Sequence, residues 1–164
     1  MDEEHTPVIV GTGQLVDRDA DQDNYIEPLE MLTRVANSAA DDAGVNRSTL
    51  QKVDTVALVG VTGWHPQNAP GLVAEKLGAH PANEFTTAIG GQVGVTLTNY
   101  AASRIVAGES DLALVGGCNN LRVLMKARAV NKQLSWTRGG TGEPELVFGD
   151  ELGTNEVETS YGMA

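Results

Sequence analysis

Few residues in this chain can do covalent or metal chemistry. There is one thiol, Cys118, and there are three imidazoles, His5, His65 and His80. Cys118 follows the apolar run DLALVGG (111–117), so it is expected just past the C-terminal end of a strand, where open α/β sheets bind ligands. A thiol attacks only as thiolate, which needs a lowered pKa. No histidine is near Cys118 in sequence, so the competing reading is a small residue packed beside Gly116-Gly117. The histidines are scattered, and none has a second His or a carboxylate at metal-ligand spacing, so no metal site is expected. His65 sits in a Trp64-His65-Pro66 loop that could line a pocket; a solvated loop histidine is the plainer reading.

Charge is more informative. No acidic residue lies between Asp111 and Glu143, yet five of the eleven basic residues fall there: Arg122, Lys126, Arg128, Lys132 and Arg138. One reading is a site for a phosphorylated small molecule, such as the nucleotide end of coenzyme A. The other is a solvated helix face, or a surface paired with acidic loops. Spacing leaves both open. The formal net charge of −11 argues against a nucleic-acid partner.

Two glycine turns stand out. GTGQLV (11–16) begins like a dinucleotide-binding turn, but Val16 stands where Gly or Ala is needed and an acidic loop follows instead of a helix. A nicotinamide site is therefore not expected. The second turn is in TTAIGGQVGVTLTNYAASRIVAG (86–108), where Gly90-Gly91 leads into a helix rich in small residues. Such a turn aims backbone N–H groups at a cleft and suits an anion or oxyanion. Equally, the glycines let a helix pack close to a sheet. The turn itself offers no nucleophile.

The elements that must position these groups follow from apolar periodicity. With 164 residues and 41% apolar content the chain can bury a core, and the low aromatic share of 4% makes that core Val, Leu, Ile and Ala. PVIVGTGQL (7–15), VDTVALVGV (53–61), NEFTTAIG (83–90) and DLALVGG (111–117) read as buried strands. Leu29 to Ala43 has helical spacing after Pro28 and stops at Gly44; a short helix covers 71–77 and ends at Gly78. Residues 91–107 form a helix with one face of Val93, Leu97, Ala101 and Ile105 and a second of Val95, Ala102 and Val106, so burial on several sides is expected. Residues 121–134 are partly helical, 137–144 form a loop, and 149–164 are acidic without a strong period. Alternating strands and helices give an α/β fold with a mostly parallel sheet. The N-terminus MDEEHTP is not a signal peptide, and no apolar run approaches the ~20 residues of a membrane helix, so a cytoplasmic protein is expected without membrane association.

In order and spacing these segments resemble the N-terminal half of the thiolase superfamily. They are most similar to the sterol-carrier-protein-type, thiolase-like proteins described as acetyl-CoA acetyltransferases. PVIVGTGQ resembles the first strand, PLEMLTRVANSAADDAGV the first helix, VDTVALVGV the second strand and LVAEKLG the next helix. AASRIVAGESDLALVGGCNN resembles the Ala-rich helix, its Ile-x-x-Gly end and the Gly-Gly after the fourth strand. The likeness covers nearly all of 7–120. It implies a thiolase-like N-terminal α/β domain over 1–118 with an incomplete sheet, and over 119–164 the start of a loop region covering coenzyme A.

The resemblance also implies what is missing. Thiolases keep a nucleophilic cysteine at the start of the buried helix, followed by a small residue and Ser-Gly. That position is Gly91 here, Gly94 matches the motif glycine, and Cys118 lies too far on to replace the nucleophile. No catalytic residue is therefore assigned. The activating histidine and the second Cys/His pair belong to the family's C-terminal half, so the chain is expected to be a fragment, one product of a split chain, or a subunit that needs a partner. The implied substrate is acyl-CoA of lipid or steroid metabolism, with no tightly bound cofactor. A homodimer pairing through NEFTTAI, or assembly with a C-terminal half, is the implied partnership. A thiolase-type acyltransferase, a retro-aldol lyase acting on a β-hydroxyacyl-CoA, and a non-catalytic CoA-binding scaffold all remain open.

Overall fold

The computed structural model describes residues 5–148. Helix α1 (Pro28–Asp42) starts on proline, whose fixed φ suits the first turn, and buries Leu29, Leu32, Ala36 and Ala40 along one stripe. Gly44 follows it with φ +69°, and the Val45 amide reaches back to the Ala40 carbonyl. A 3-10 turn (Arg47–Lys52), unforeseen in the sequence, is capped by the Asn46 side chain. It leads to strand β1 (Thr55–Leu58), in which every residue is buried.

Helix α2 (Ala69–Leu77) is capped at its start by Asn68 and ends at Gly78 in the left-handed conformation. Strand β2 (Asn83–Thr87), helix α3 (Val93–Val106), strand β3 (Ala113–Gly116), helix α4 (Leu121–Ala129) and strand β4 (Glu145–Phe148) complete the order. The four strands form one sheet, β3-β1-β2-β4, and every neighbouring pair is parallel. The α/β class with a parallel sheet read from the sequence is the observed fold.

Side chains alternate across β1. Val56 and Leu58 join Leu29, Leu32 and Val73 in the larger core beneath α1 and α2. Ala57 faces the other way, into a smaller core with Phe85 and Leu97 of α3. That second core is finished by an edge-to-face ladder: Phe85 and Tyr100 at 5.1 Å, Tyr100 and Phe148 at 5.6 Å. Arg104 lies over the Phe85 ring at 5.6 Å and pairs with Glu109 at 2.7 Å. The ladder explains why β4 holds on beside β2.

Three expectations are corrected. PVIVGTGQL does not form a strand, and Val8, Ile9 and Val10 are exposed. Its glycines bring the backbone against α1 instead. A Cβ on Gly11 would lie 2.1 Å from the Ala39 carbonyl oxygen, one on Gly13 2.0 Å from that of Val35, and the Thr12 amide donates to Asp42 at 2.8 Å. Helix α3 is not buried on several sides. Val93, Leu97 and Ala101 are buried, whereas Val95 and Val106 are exposed, because the sheet covers only one face. NEFTTAI is not a free edge: β2 has β1 on one side and β4 on the other. The sequence signal for β4 was lost in the loop-like composition around it. The stretch 149–164 lies outside the described residues.

Candidate functional site

Strand β1 leaves the sheet toward α2 on one face, and its neighbour β2 leaves toward α3 on the other. The two connections part, and a crevice opens above the C-terminal ends of β1 and β2. This is the position where open parallel sheets take ligands. A cavity of about 250 Å³ occupies it, lined among others by Gly60, Val61, Trp64, His65, Thr86 and Thr87. Gly60 is required there, since a Cβ would come 2.5 Å from the Thr87 carbonyl oxygen. The absence of that Cβ lets the exit of β1 run against the start of the 88–92 turn.

Pro144, on the far side, ends a strap, residues 136–144, that is stitched to the loop before α2. Trp64 Nε1 donates to the Thr137 carbonyl at 2.7 Å. Asn68 Nδ2 donates to the Thr141 carbonyl at 2.8 Å and to Glu84 Oε2 at 2.6 Å, while its Oδ1 accepts from the Gly71 amide at 2.8 Å. The Asn68 amide donates to the Gly139 carbonyl at 3.0 Å. Asn68 is fully buried, so it satisfies an N-cap, a strand carboxylate and a strap from one side chain. Sequence reading found the WHP loop but passed over Asn68, whose only local signal was its place one residue before the helix.

At the turn itself Gly90, Gly91 and Gln92 precede α3. Gly91 is exposed, and nothing lies within 4 Å of where its Cβ would be. The position that the family resemblance gives to the nucleophile is therefore empty of side chain and has room for one. The Gln92 carbonyl accepts from the amides of Val95 and Thr96, so the amides of Val93 and Gly94 lie before the first helical bonds. No acidic residue stands in the first turn, and Arg104 is in the last. The turn suits an acceptor oxygen or an anion and carries no group that attacks.

Cys118 sits beyond β3, packed against the larger core, with Sγ 4.0 Å from the Pro28 carbonyl oxygen. Burial pushes its thiol up from 9.0 to about 12. It is a protonated packing residue at neutral pH.

The five basic residues divide into two groups. Arg122 donates to the Arg18 carbonyl at 2.7 Å, Lys126 to the Ala20 carbonyl at 3.3 Å, and Lys132 pairs with Asp23 at 2.5 Å. These three pin the acidic 17–24 loop to α4 and its exit. The Lys132 contact, helped by Gln22, holds the Asp23 carboxyl below its ordinary value. Arg128 and Arg138 are exposed and form no ion pair among the described residues. The structure thus brings Arg122, Lys126 and Lys132 onto one loop and leaves Arg128 and Arg138 apart from it.

The chain resembles the crystal structure of a monomeric SCP2-thiolase-like protein type 1 from Mycobacterium smegmatis, with 32% sequence identity and a TM-score of 0.56. The match covers 72% of this chain and 24% of that protein, so the chain spans about a quarter of its length. No protein-family model and no curated protein matches the chain. No described helix is long and apolar enough to cross a membrane.

Proposed function

From the premise of an SCP2-thiolase-like fold, we propose that this chain is the acyl-CoA-handling part of a thiolase-like protein of lipid or steroid metabolism, working without a covalent thioester. The observation that carries this is Gly91, an exposed glycine with open space around it, at the turn where the resemblance puts the nucleophile. Claisen chemistry through an acyl-enzyme needs a thiol at that place. Cys118 is no substitute, because its thiol stays protonated.

The residues that remain fit recognition of a thioester. The amides of Val93 and Gly94 can donate to a thioester carbonyl oxygen. Of the basic residues, Arg128 and Arg138 form no ion pair among the described residues and can reach coenzyme A phosphates, whereas Arg122, Lys126 and Lys132 are engaged with the acidic loop. Polarising a thioester carbonyl is what retro-aldol cleavage of a β-hydroxyacyl-CoA requires. The β-hydroxyl loses its proton, the Cα–Cβ bond breaks to give a carbonyl product, and the Cα of the enolate takes up a proton. The base would come from outside these 164 residues, on a C-terminal half or partner subunit. Alone, the chain would bind without turnover.

Calorimetry with coenzyme A and a β-hydroxyacyl-CoA tests the reading. Saturable binding weakened about tenfold in an Arg128→Ala, Arg138→Ala double variant supports it. Absence of binding, or rapid thiolysis of acetoacetyl-CoA by the purified chain, overturns it.

A further inference from the structure

We propose that the groove between the first turns of α1 and the segment 132–135 after α4 binds a neutral polyhydroxylated ligand of monosaccharide size, a hexose or a cyclic polyol. The proposal is independent of the acyl-CoA reading, because this groove shares no lining residue with the crevice above β1 and β2. Three observations point to it.

The first is size and build. The cavity measures about 550 Å³, within the ~300–1,000 Å³ of small-molecule sites, and at ~30 Å³ per water-sized group it takes a monosaccharide with water around it. Its walls are fixed from behind. The Ile26 carbonyl accepts from Asn120 Nδ2 at 2.8 Å, and Asp21 Oδ1 accepts from the amides of Asp23 and Asn24 at 2.8 Å. The second is charge. Three carboxylates and two cations line the groove, and each is already answered. Asp23 pairs with Lys132 at 2.5 Å and Glu30 with Arg34 at 2.7 Å, while Glu27 accepts from the Thr137 amide at 2.6 Å and its hydroxyl at 2.9 Å. An ammonium or a carboxylate must break one of these pairs to bind; a hydroxyl need not. The third is what the pairs leave over. Arg34 spends only Nε on Glu30, so its two Nη groups and Glu30 Oε2 stay uncommitted among the described residues. So do the Tyr25 hydroxyl, the Gln133 carboxamide and the Ser135 hydroxyl, which also line the groove. A guanidinium fork and carboxylate lone pairs match adjacent hydroxyls, and the half-buried Tyr25 ring offers an apolar rest for a C–H face.

The test titrates the nitrogen-15-labelled chain with glucose and with myo-inositol, reading the Arg34 Nε–H and Gln133 carboxamide signals. At least one of the two polyols should shift both signals saturably in the millimolar range and leave the Trp64 indole unmoved. Its affinity should change less than about twofold between low salt and ~0.5 M salt, since no net charge is bound. Gln133→Ala changes an exposed side chain and should weaken binding about fivefold, read at Arg34, for the loss of one hydrogen bond. Tyr25→Leu should weaken it about tenfold. If that variant fails to fold, Gln133→Ala and the salt series decide. Unmoved Arg34 and Gln133 signals with both polyols up to the hundred-millimolar range overturn the proposal. So does a response to spermidine or glutamate in place of the polyols that fades with salt, which would make the groove a site for ions.

Discussion

Asn68 Nδ2 lies 2.6 Å from Glu84 Oε2, tying the N-cap of α2 to the start of β2. Asn68 is fully buried and Glu84 half-buried, and the same amide also holds the 136–144 strap. Replacing Asn68 with Ala removes a cap and leaves a partly buried carboxylate without its donor. The expected loss is about 3 kcal/mol, from ~1 for the cap and ~1.5–3 for a hydrogen bond to a charged group. Asn68→Asp should cost at least as much near neutral pH, because it sets a second carboxylate against Glu84. Urea midpoints measure both; a loss under about 1 kcal/mol for Asn68→Ala would show that the strap holds by other means.

Gly91 has open space where a Cβ would be and lies outside the left-handed region, so Gly91→Cys should fold with stability within about 0.5 kcal/mol of the parent. The new thiol would stand at the start of α3, where backbone donors favour a thiolate. Iodoacetamide at neutral pH should label residue 91 and spare Cys118. Labelling at Cys118 first would mean that the turn does not lower a thiol pKa.

Cys118 makes its own prediction. Its thiol is raised by burial to about 12, against 9.0 unperturbed. The native protein should react with a disulfide reagent at pH 8 well below the rate of the unfolded chain, because the half-buried thiol stays protonated. The sign for stability follows: between pH 9 and about 12 the unfolded chain ionises its thiol while the folded chain keeps its proton, so this contribution to stability falls as pH rises. Reaction as fast as that of a free thiol would contradict the raised thiol pKa.

Asp54 organises the N-terminal ends of β1 and β3. Burial alone would raise its pKa, but donors from Ser110, the Asp111 and Leu112 amides and Thr55 outweigh this and hold it below its ordinary 3.8. Its contribution is present above pH 3.8 and is lost as pH falls below that through its folded value. Asp54→Asn should flatten the acid limb of the stability curve. An unchanged acid limb would assign acid unfolding to other carboxylates.

Much of this fold was legible in the residues. VDTVALVGV reads as a buried strand because Val56 to Val59 are all apolar, and β1 is fully buried. Pro28 and Gly44 bracket α1, and Gly78 closes α2. Composition failed where the same residue type serves two physical ends. Gly11 and Gly13 read as a turn after a strand, yet they exist to let the backbone lie on α1. ELVF (145–148) is too short, and too close to glycines and acids, to announce a strand; it is held by Phe148 stacking on Tyr100, a contact between residues far apart in sequence. The turn at Gly91 was found by its spacing, whereas the crevice beside it was not. It depends on which face each connection takes, which no local pattern encodes. The basic cluster is visible as a count of charges, but its division between residues bound to the acidic loop and Arg128 and Arg138, unpaired among the described residues, is set by which way α4 faces.

Native mass spectrometry of the chain with butanoyl-CoA tests the central claim most directly. The account predicts a peak at the mass of the chain plus the whole acyl-CoA, lost on denaturation, and no peak at the chain plus the acyl group alone. A covalent acyl adduct surviving denaturation, or no complex at any butanoyl-CoA concentration up to millimolar, would contradict it.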